Sequence, residues 1–269
     1  MTPYNPLPPA VSGPMAWLRA ARRLREHGAL NNIILHIQDP LRFGEDERRI
    51  LTAVDTLLKQ HGHYSIQTVA NTIFPASLRR DDDRMAFYGR YLQNFKRQKS
   101  LTGDWGRYFH RMIAWPTSVG DPVNQLEELI DQLNKHGPNS ESKKRRYNMY
   151  EVSLYNPELD RKKSTNRQCM SHIEIKPDFH GGEDKLHLTA LYRNHYYVAR
   201  VLGNLIGLAA LMQFLAEETG LQVGTLTILS THAELDRGVA NVKKGSKSWG
   251  VKKLDSLLGV LSDIEVADV

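Results

Sequence analysis

A chain of 269 residues is long enough for one large domain with an ample core, and its 41% apolar and 25% charged residues are those of a globular protein. A single cysteine excludes an internal disulfide framework and a cysteine zinc cluster, which points to a reducing cytoplasm. The net charge of +6 leaves room for an anionic partner. Its basic residues are dispersed, however. The short runs Lys143–Arg146, Arg161–Lys163 and Lys243–Lys244 suit solvated loops or phosphate grips better than a nucleic-acid face.

Met1 to Pro14 is polar and proline-rich, so a flexible leader is expected rather than a signal peptide. Met15 to His27 repeats Trp17, Leu18, Ala21 and Leu24 at helical spacing, with Gly28 as a stop. Ile33 to Ile37 is short enough for a strand and ends at Asp39-Pro40. Glu45 to Gln60 opens with acids that suit a helix N-terminus and carries Ile50, Val54, Leu57 and Leu58 on one face. A short capped helix is expected from Ser65 to Ile73. Asp81 to Asp83 begin a further helix, Arg84 to Gln98, and complement its dipole better than they would cage a metal.

Leu126, Leu129, Ile130 and Leu133 mark an amphipathic helix within residues 122–134, and the polar stretch 137–146 reads as a mobile basic loop. Tyr150 to Tyr155 alternates like a strand ended by Asn156-Pro157. The lone cysteine, Cys169, stands just before a short strand at Ile173-Glu174-Ile175. After a turn-rich break at 177–184, Leu186 to Tyr192 reads as a second strand and Val198 to Thr219 as a long apolar helix. No run of about 18 uninterrupted apolar residues occurs, and Asn204 and Gln213 make Val201 to Leu215 a buried helix rather than a membrane span. Val251 to Val269 reads as an amphipathic helix with an acidic end.

An isolated cysteine is most often a small buried hydrophobe. Around Cys169, however, an ordered series of short motifs resembles the thymidylate synthase family, which includes the deoxycytidylate hydroxymethylases. Gly103-Asp104-Trp105-Gly106-Arg107-Tyr108 is similar to its glycine-tyrosine-glycine segment, and Ala114-Trp115-Pro116-Thr117 with Asn124-Gln125-Leu126 is similar to the family's next stretch. Lys143 to Arg146 falls at its serine-arginine-arginine loop. Gln168-Cys169-Met170 falls at its proline-cysteine-histidine nucleophile, Arg193 at its glutamine-arginine-serine, and Asn204 at its base-reading asparagine.

The resemblance implies an α+β fold, a single domain over 1–269 with a large mixed β-sheet covered by helices and paired sheet to sheet as a homodimer. It implies that Cys169 adds to C6 of a pyrimidine nucleoside monophosphate and that a one-carbon unit, methyl or hydroxymethyl, goes to C5. A thiolate suits that addition because it attacks readily and leaves again. Arg193 would bind phosphate and lower the thiol pKa, with Arg167 as a second aid. Arg145 and Arg146 would reach the phosphate of the neighbouring subunit. Asn204 would read a uracil-type base, His232 would contact the sugar, and the donor would be 5,10-methylenetetrahydrofolate.

Several family residues are replaced. Gln60 to Asn71 contains no acid where a proton-relaying glutamate is expected, so Glu234 or His172 are the candidate proton carriers. Asn194, Tyr196 and Ser230 stand at a phosphate-binding serine and at two aspartates, the second of them folate-contacting. The phosphate loop after Leu30 and the C-terminal lid are not found. An alternative reading is therefore a non-catalytic nucleotide-binding or assembly protein on the same scaffold.

Overall fold

The computed structural model of the protein describes residues 4–80, 83–98, 108–137, 140, 145–162, 167–179, 183–240 and 243–267. In chain order the strands are β1 (Asn5–Pro6), β2 (Leu30–Ile37), β3 (Glu151–Ser153), β4 (Met170–Asp178), β5 (Lys185–Tyr192), β6 (His195–Tyr196) and β7 (Gln222–Glu234). The helices are α1 (Gly13–His27), α2 (Glu45–Gln60), α3 (Ile66–Ile73), α4 (Arg84–Arg97), α5 (Tyr108–Ile113), α6 (Gln125–His136), α7 (Pro157–Asp160), α8 (Leu202–Thr219) and α9 (Val251–Gly259).

Helix α8 is apolar over most of its circumference, with Gln213 and Glu217 on one exposed edge, so most of its surface must be covered. It packs against β5 and β7 of the sheet and against α1, α3 and α6. Tyr197 to Thr219 is long and apolar enough to cross a membrane by length and composition, but 72% of that window is buried inside the protein, as a core helix is. Gly203 and Gly207 allow α3 to approach closely. A Cβ on Gly203 would lie 2.5 Å from the Val69 side chain and 2.7 Å from the Ile66 carbonyl oxygen.

The sheet is mixed, in the order β1-β2-β7-β5-β4-β3, with β6 also beside β7. Strands β5 and β7 are parallel and joined through α8, because a parallel pair requires a long crossover. Strand β6 extends the line of β5 along β7, since Tyr192 pairs with Ser230 and His195 with Ala233. Arg193 and Asn194 interrupt that line. One face of the sheet is buried in the core. The alternate residues of the other face, among them Ile34, His36, Thr227, Leu229, His187 and Leu191, are all partly accessible.

The periodicities predict most of these elements. Ser65, Asp83 and Asn124 cap α3, α4 and α6 through their side chains, with Asp83 Oδ1 accepting from Ala86 N at 2.9 Å. The acidic triplet thus serves a helix start at Asp83, while Asp81 and Asp82 lie outside the described residues, as does most of the 137–146 loop.

The structure corrects other expectations. The Tyr150–Tyr155 strand is confined to Glu151–Ser153, because Leu154 N and Tyr155 N both donate to Ser171 O and the ladder cannot continue. The long helix starts with a π-helical turn at Tyr197–Val201. The C-terminal helix ends at Gly259, after which Arg22 donates to the Leu261 and Ile264 carbonyls and Arg19 to those of Val266 and Ala267. Strand β7, the centre of the sheet, has no counterpart among the elements expected from the sequence.

The close approach of α3 to α8 leads to a test. Gly203→Ala should destabilise the protein by about 2 kcal/mol, since the added methyl meets backbone as well as side chain. Chemical denaturation should show a lower midpoint at unchanged slope.

Candidate functional site

Cys169 lies at the entry to β4, half-buried against the core. Its position is fixed from two sides. On one, the Tyr108 hydroxyl accepts from Cys169 N and Met170 N, each at 3.2 Å. Tyr108 opens α5, and α5 is tied to α7 by the buried pair of Arg111 and Asp160, with Arg111 Nη2 donating to Asp160 Oδ1 at 2.9 Å. On the other side Arg193, at the break between β5 and β6, donates its backbone N–H to Cys169 O at 2.9 Å. Its side chain clamps the same loop, with Nε donating to Gln168 O at 2.9 Å and Nη2 to Arg167 O at 2.8 Å. A guanidinium has five N–H donors, so three are left without a partner among the described residues.

A second cation acts on this thiol electrostatically. Arg200 comes from the π-helical turn, a feature that recurs at functional sites. Its guanidinium carbon lies 5.7 Å from the Tyr64 ring centroid, and Lys243 Nζ is 5.9 Å from the same ring. Burial pushes the Cys169 thiol up from its ordinary value, while Arg193 and then Arg200 pull it back. Beside the thiol, the hydroxyl of fully buried Tyr192, both amide atoms of Gln168 and Arg167 Nε are buried without a hydrogen-bond partner among the described residues. The Arg167 guanidinium carbon also lies 4.8 Å from the Tyr155 ring centroid.

Asn204, near the start of α8, is buried and its Nδ2 donates to His195 Nε2 at 2.8 Å. This fixes the His195 tautomer, whose Nδ1 lies 2.9 Å from Ser230 Oγ. Tyr197 Oη reaches the same serine oxygen at 3.3 Å. The His195 ring stacks on Tyr192 at 3.9 Å between centroids, and burial pushes His195 down to about 3.

The other sequence-predicted residues lie apart from Cys169. His232 Nδ1 is 3.2 Å from Asn31 Oδ1. Glu234 is four residues beyond Ser230 along β7, about 13 Å, and lines a separate cleft of about 480 Å³ with Arg25, Gly28, Tyr196 and Arg237. His172 is on the open sheet face, its Nε2 3.1 Å from Glu174 Oε2. There Glu151, His172 and Glu174 present three potential metal-ligand atoms within 4.8 Å of one another, though Lys176 also binds Glu174. Arg145 caps α6, donating to Gly137 O at 2.7 Å, with its guanidinium over the Phe179 ring. Arg146 is exposed. The Gly103–Arg107 motif lies outside the described residues.

Two places at which the resemblance implies methylenetetrahydrofolate contacts offer none in this structure. Ser230 is fully buried and engaged by His195 and Tyr197, so it offers a ligand nothing. The C-terminal segment is held down on α1 and on α2, where Arg49 Nη2 donates to both Asp263 oxygens at 2.8 and 2.9 Å.

Three residues of the site escape sequence reasoning. Tyr108 closes the Gly103–Tyr108 motif but has no separate signal within it; Arg200 and Tyr192 carry no motif signal. A tyrosine beside Arg193 and an arginine inside an apolar run are the available hints.

No protein-family model matches the chain. Over 128 residues it is 30% identical to a protein of Methanococcoides burtonii named "Putative thymidylate synthase", covering 48% of this chain and 51% of that one. It is 28% identical over 161 residues to a protein of the same name from Methanosarcina mazei, covering 60% and 65% of the two. A third, from Methanocaldococcus jannaschii, is 26% identical over 144 residues, covering 51% and 59%. The chain thus spans between about half and two thirds of the length of these curated relatives.

Forced neutrality of His195 has a measurable consequence. Because its folded value is depressed to about 3 from about 6.5, its contribution is fully present above pH 6.5 and is lost as pH falls toward 3. Stability should therefore fall at up to about 1.4 kcal/mol per pH unit below 6.5 from this group alone. Asp236, held up at about 6 by burial, acts oppositely between about 4 and 6, so the comparison must be with His195→Gln. Denaturant titrations from pH 7 to 4 should give a shallower acid limb for that variant.

Proposed function

We propose that this chain is a divergent thymidylate-synthase-like enzyme in which Cys169 adds to C6 of a pyrimidine nucleotide so that C5 can accept a one-carbon unit. The carrying observation is a half-buried thiol on a loop clamped by Arg193, with the charges of Arg193 and Arg200 both favouring its ionised form. The archaeal relatives' names support the same class. Attack by the thiolate at C6 moves an electron pair to C5 and, by conjugation, to O4. Pyrimidine C5 then becomes the nucleophile toward an electrophilic one-carbon donor, methyl or hydroxymethyl level, with methylenetetrahydrofolate the family-level candidate despite the two contacts it lacks here.

In this reading the three unused donors of Arg193 hold the nucleotide phosphate. Arg146, exposed near the end of the basic loop, and Arg167 are further phosphate contacts, whereas the capping role of Arg145 argues against it. Asn204 reads the base with what its bond to His195 leaves available, and His232 contacts the sugar. Neither Glu234, in its own cleft, nor His172, paired on the open sheet face, has support from position as proton carrier.

A second reading, a non-catalytic nucleotide-binding or assembly protein, is favoured by the commitment of the Asn204 amide to His195 and by the raised thiol. Incubation with 5-fluoro-2′-deoxyuridylate, with and without methylenetetrahydrofolate, separates the two. Mass spectrometry should find a covalent adduct on Cys169 that Cys169→Ser abolishes. Nucleotide binding without any adduct, unchanged in Cys169→Ser, would leave the non-catalytic reading standing instead.

We also propose a homodimer through the sheet. The accessible face carries Ile34, Leu229 and Leu191 among threonines and histidines, which suits burial against a second copy better than permanent solvation. Light scattering should give twice the 30.7 kDa chain mass, and Leu229→Glu should give monomer.

A further inference from the structure

The Tyr192 side chain is fully buried, yet its hydroxyl has no hydrogen-bond partner among the described residues. Buried polar atoms are nearly always paired, so such a group in a stable protein needs an explanation. Leaving a hydroxyl desolvated and unpaired costs stability that a phenylalanine would not.

Its location supplies one. Tyr192 is the last residue of β5 and pairs directly with Met170, while its neighbour Arg193 binds Cys169 O through the backbone. The phenol is therefore carried by the strand end that closes on the cysteine. Stacking on His195 fixes its ring, with 9° between the planes. The Tyr108 hydroxyl, which anchors the Cys169 loop, and the Cys169 thiol are both near enough to act on Tyr192 electrostatically, and burial first and these two groups next keep it protonated. Tyr192 thus holds an unused O–H at every working pH. The one neighbouring group that must become anionic, and so gain an acceptor, is the Cys169 sulfur.

We infer that the Tyr192 hydroxyl is a dedicated hydrogen-bond donor to the Cys169 sulfur in its ionised form, the neutral complement to the two guanidinium charges. The thiol proton leaves to water and the phenol keeps its own. In the resting thiol the donor is unpaired among the described residues; on ionisation the sulfur becomes its acceptor. The inference rests on Cys169 being the reactive group, and not on the identity of any nucleotide.

Tyr192→Phe tests this, because it deletes only an atom that the folded chain does not otherwise use. Tyr150→Phe is the control: the Tyr150 hydroxyl is also buried and unpartnered among the described residues, but its backbone pairs with Ile175, six residues along from Cys169. Both full-length variants should melt no lower than wild type. The rate of Cys169 alkylation by iodoacetamide, followed by mass spectrometry across pH, reports the thiolate fraction. In Tyr192→Phe the midpoint should move up by about one unit, roughly tenfold slower alkylation at a fixed pH below it, with no change in Tyr150→Phe.

An unmoved midpoint overturns the inference, as does an equal shift in the control. A Tyr192→Phe protein that melts below wild type overturns it too, since the hydroxyl would then be serving the fold. Alkylation needs no nucleotide, so failure of the fluorodeoxyuridylate adduct and failure of this assignment are separate results.

Discussion

A helix that is apolar over most of its circumference dictates this architecture. Apart from the edge that carries Gln213 and Glu217, Leu202 to Thr219 must be kept from water, and the sheet covers one side and α1, α3 and α6 the others. Close cover requires small residues, and Gly203 and Gly207 let α3 come to backbone contact. At its N-terminal end the helix departs from α geometry into the Tyr197–Val201 turn. There the Asp236 carboxylate, 4% exposed, accepts from Val198 N at 2.8 Å and from Ala199 N at 3.1 Å. That capped, irregular turn carries Arg200, whose charge acts on Cys169, and beside it Asn204 meets His195. Apolar demand along the helix and polar demand at its end are met by the same element.

The balance of charge at Cys169 is set by its surroundings. Burial opposes a thiolate, and Arg193 and Arg200 oppose burial. Arg193 also spends two donors on the Arg167 and Gln168 carbonyls, so it acts as a strut as much as a charge. A strut of this kind limits how far the cysteine loop can move, and preorganised donors are worth most in a site that excludes water. The buried, unpaired Gln168 amide and Arg167 Nε fit the same picture, since each would be paired by a polar ligand and by nothing else described.

How much is legible in the sequence depends on which signal each residue emits. Helices with one apolar stripe, such as Glu45–Gln60, announce both ends through charge, cap and glycine, and the structure reproduces that helix to the residue. Cys169 and Arg193 are singled out in the sequence because neighbouring motifs keep their order, and Arg167 because it stands two residues before the cysteine. Strand β7 is not, because the sequence after Thr219 resembles a helix end and turn, although its Thr225-Leu226-Thr227-Ile228 alternation carries the strand period. Glu234 and His172 are candidates by residue type alone, and strand register places them away from the cysteine. Tyr192 and Arg200 have no periodic or motif signature; only the pairing of β4 with β5 and the π-helical turn bring them to Cys169.

The absence of an acid from Gln60 to Asn71 bears on why the site is built of phenols and guanidinium groups. A carboxylate next to a buried thiol would add a like charge and push its ionisation further out of reach. Without one, Arg193 and Arg200 act on the sulfur with no opposing carboxylate from this stretch, which also supplies no titratable proton carrier. Tyrosines raised by burial stay protonated near neutral pH and cannot act there as general bases. Burial still outweighs the two guanidinium groups at the thiol, so the surroundings alone do not favour an anion at sulfur. Any proton that must leave C5 would have to be taken by solvent or by a group the substrate or its one-carbon donor brings.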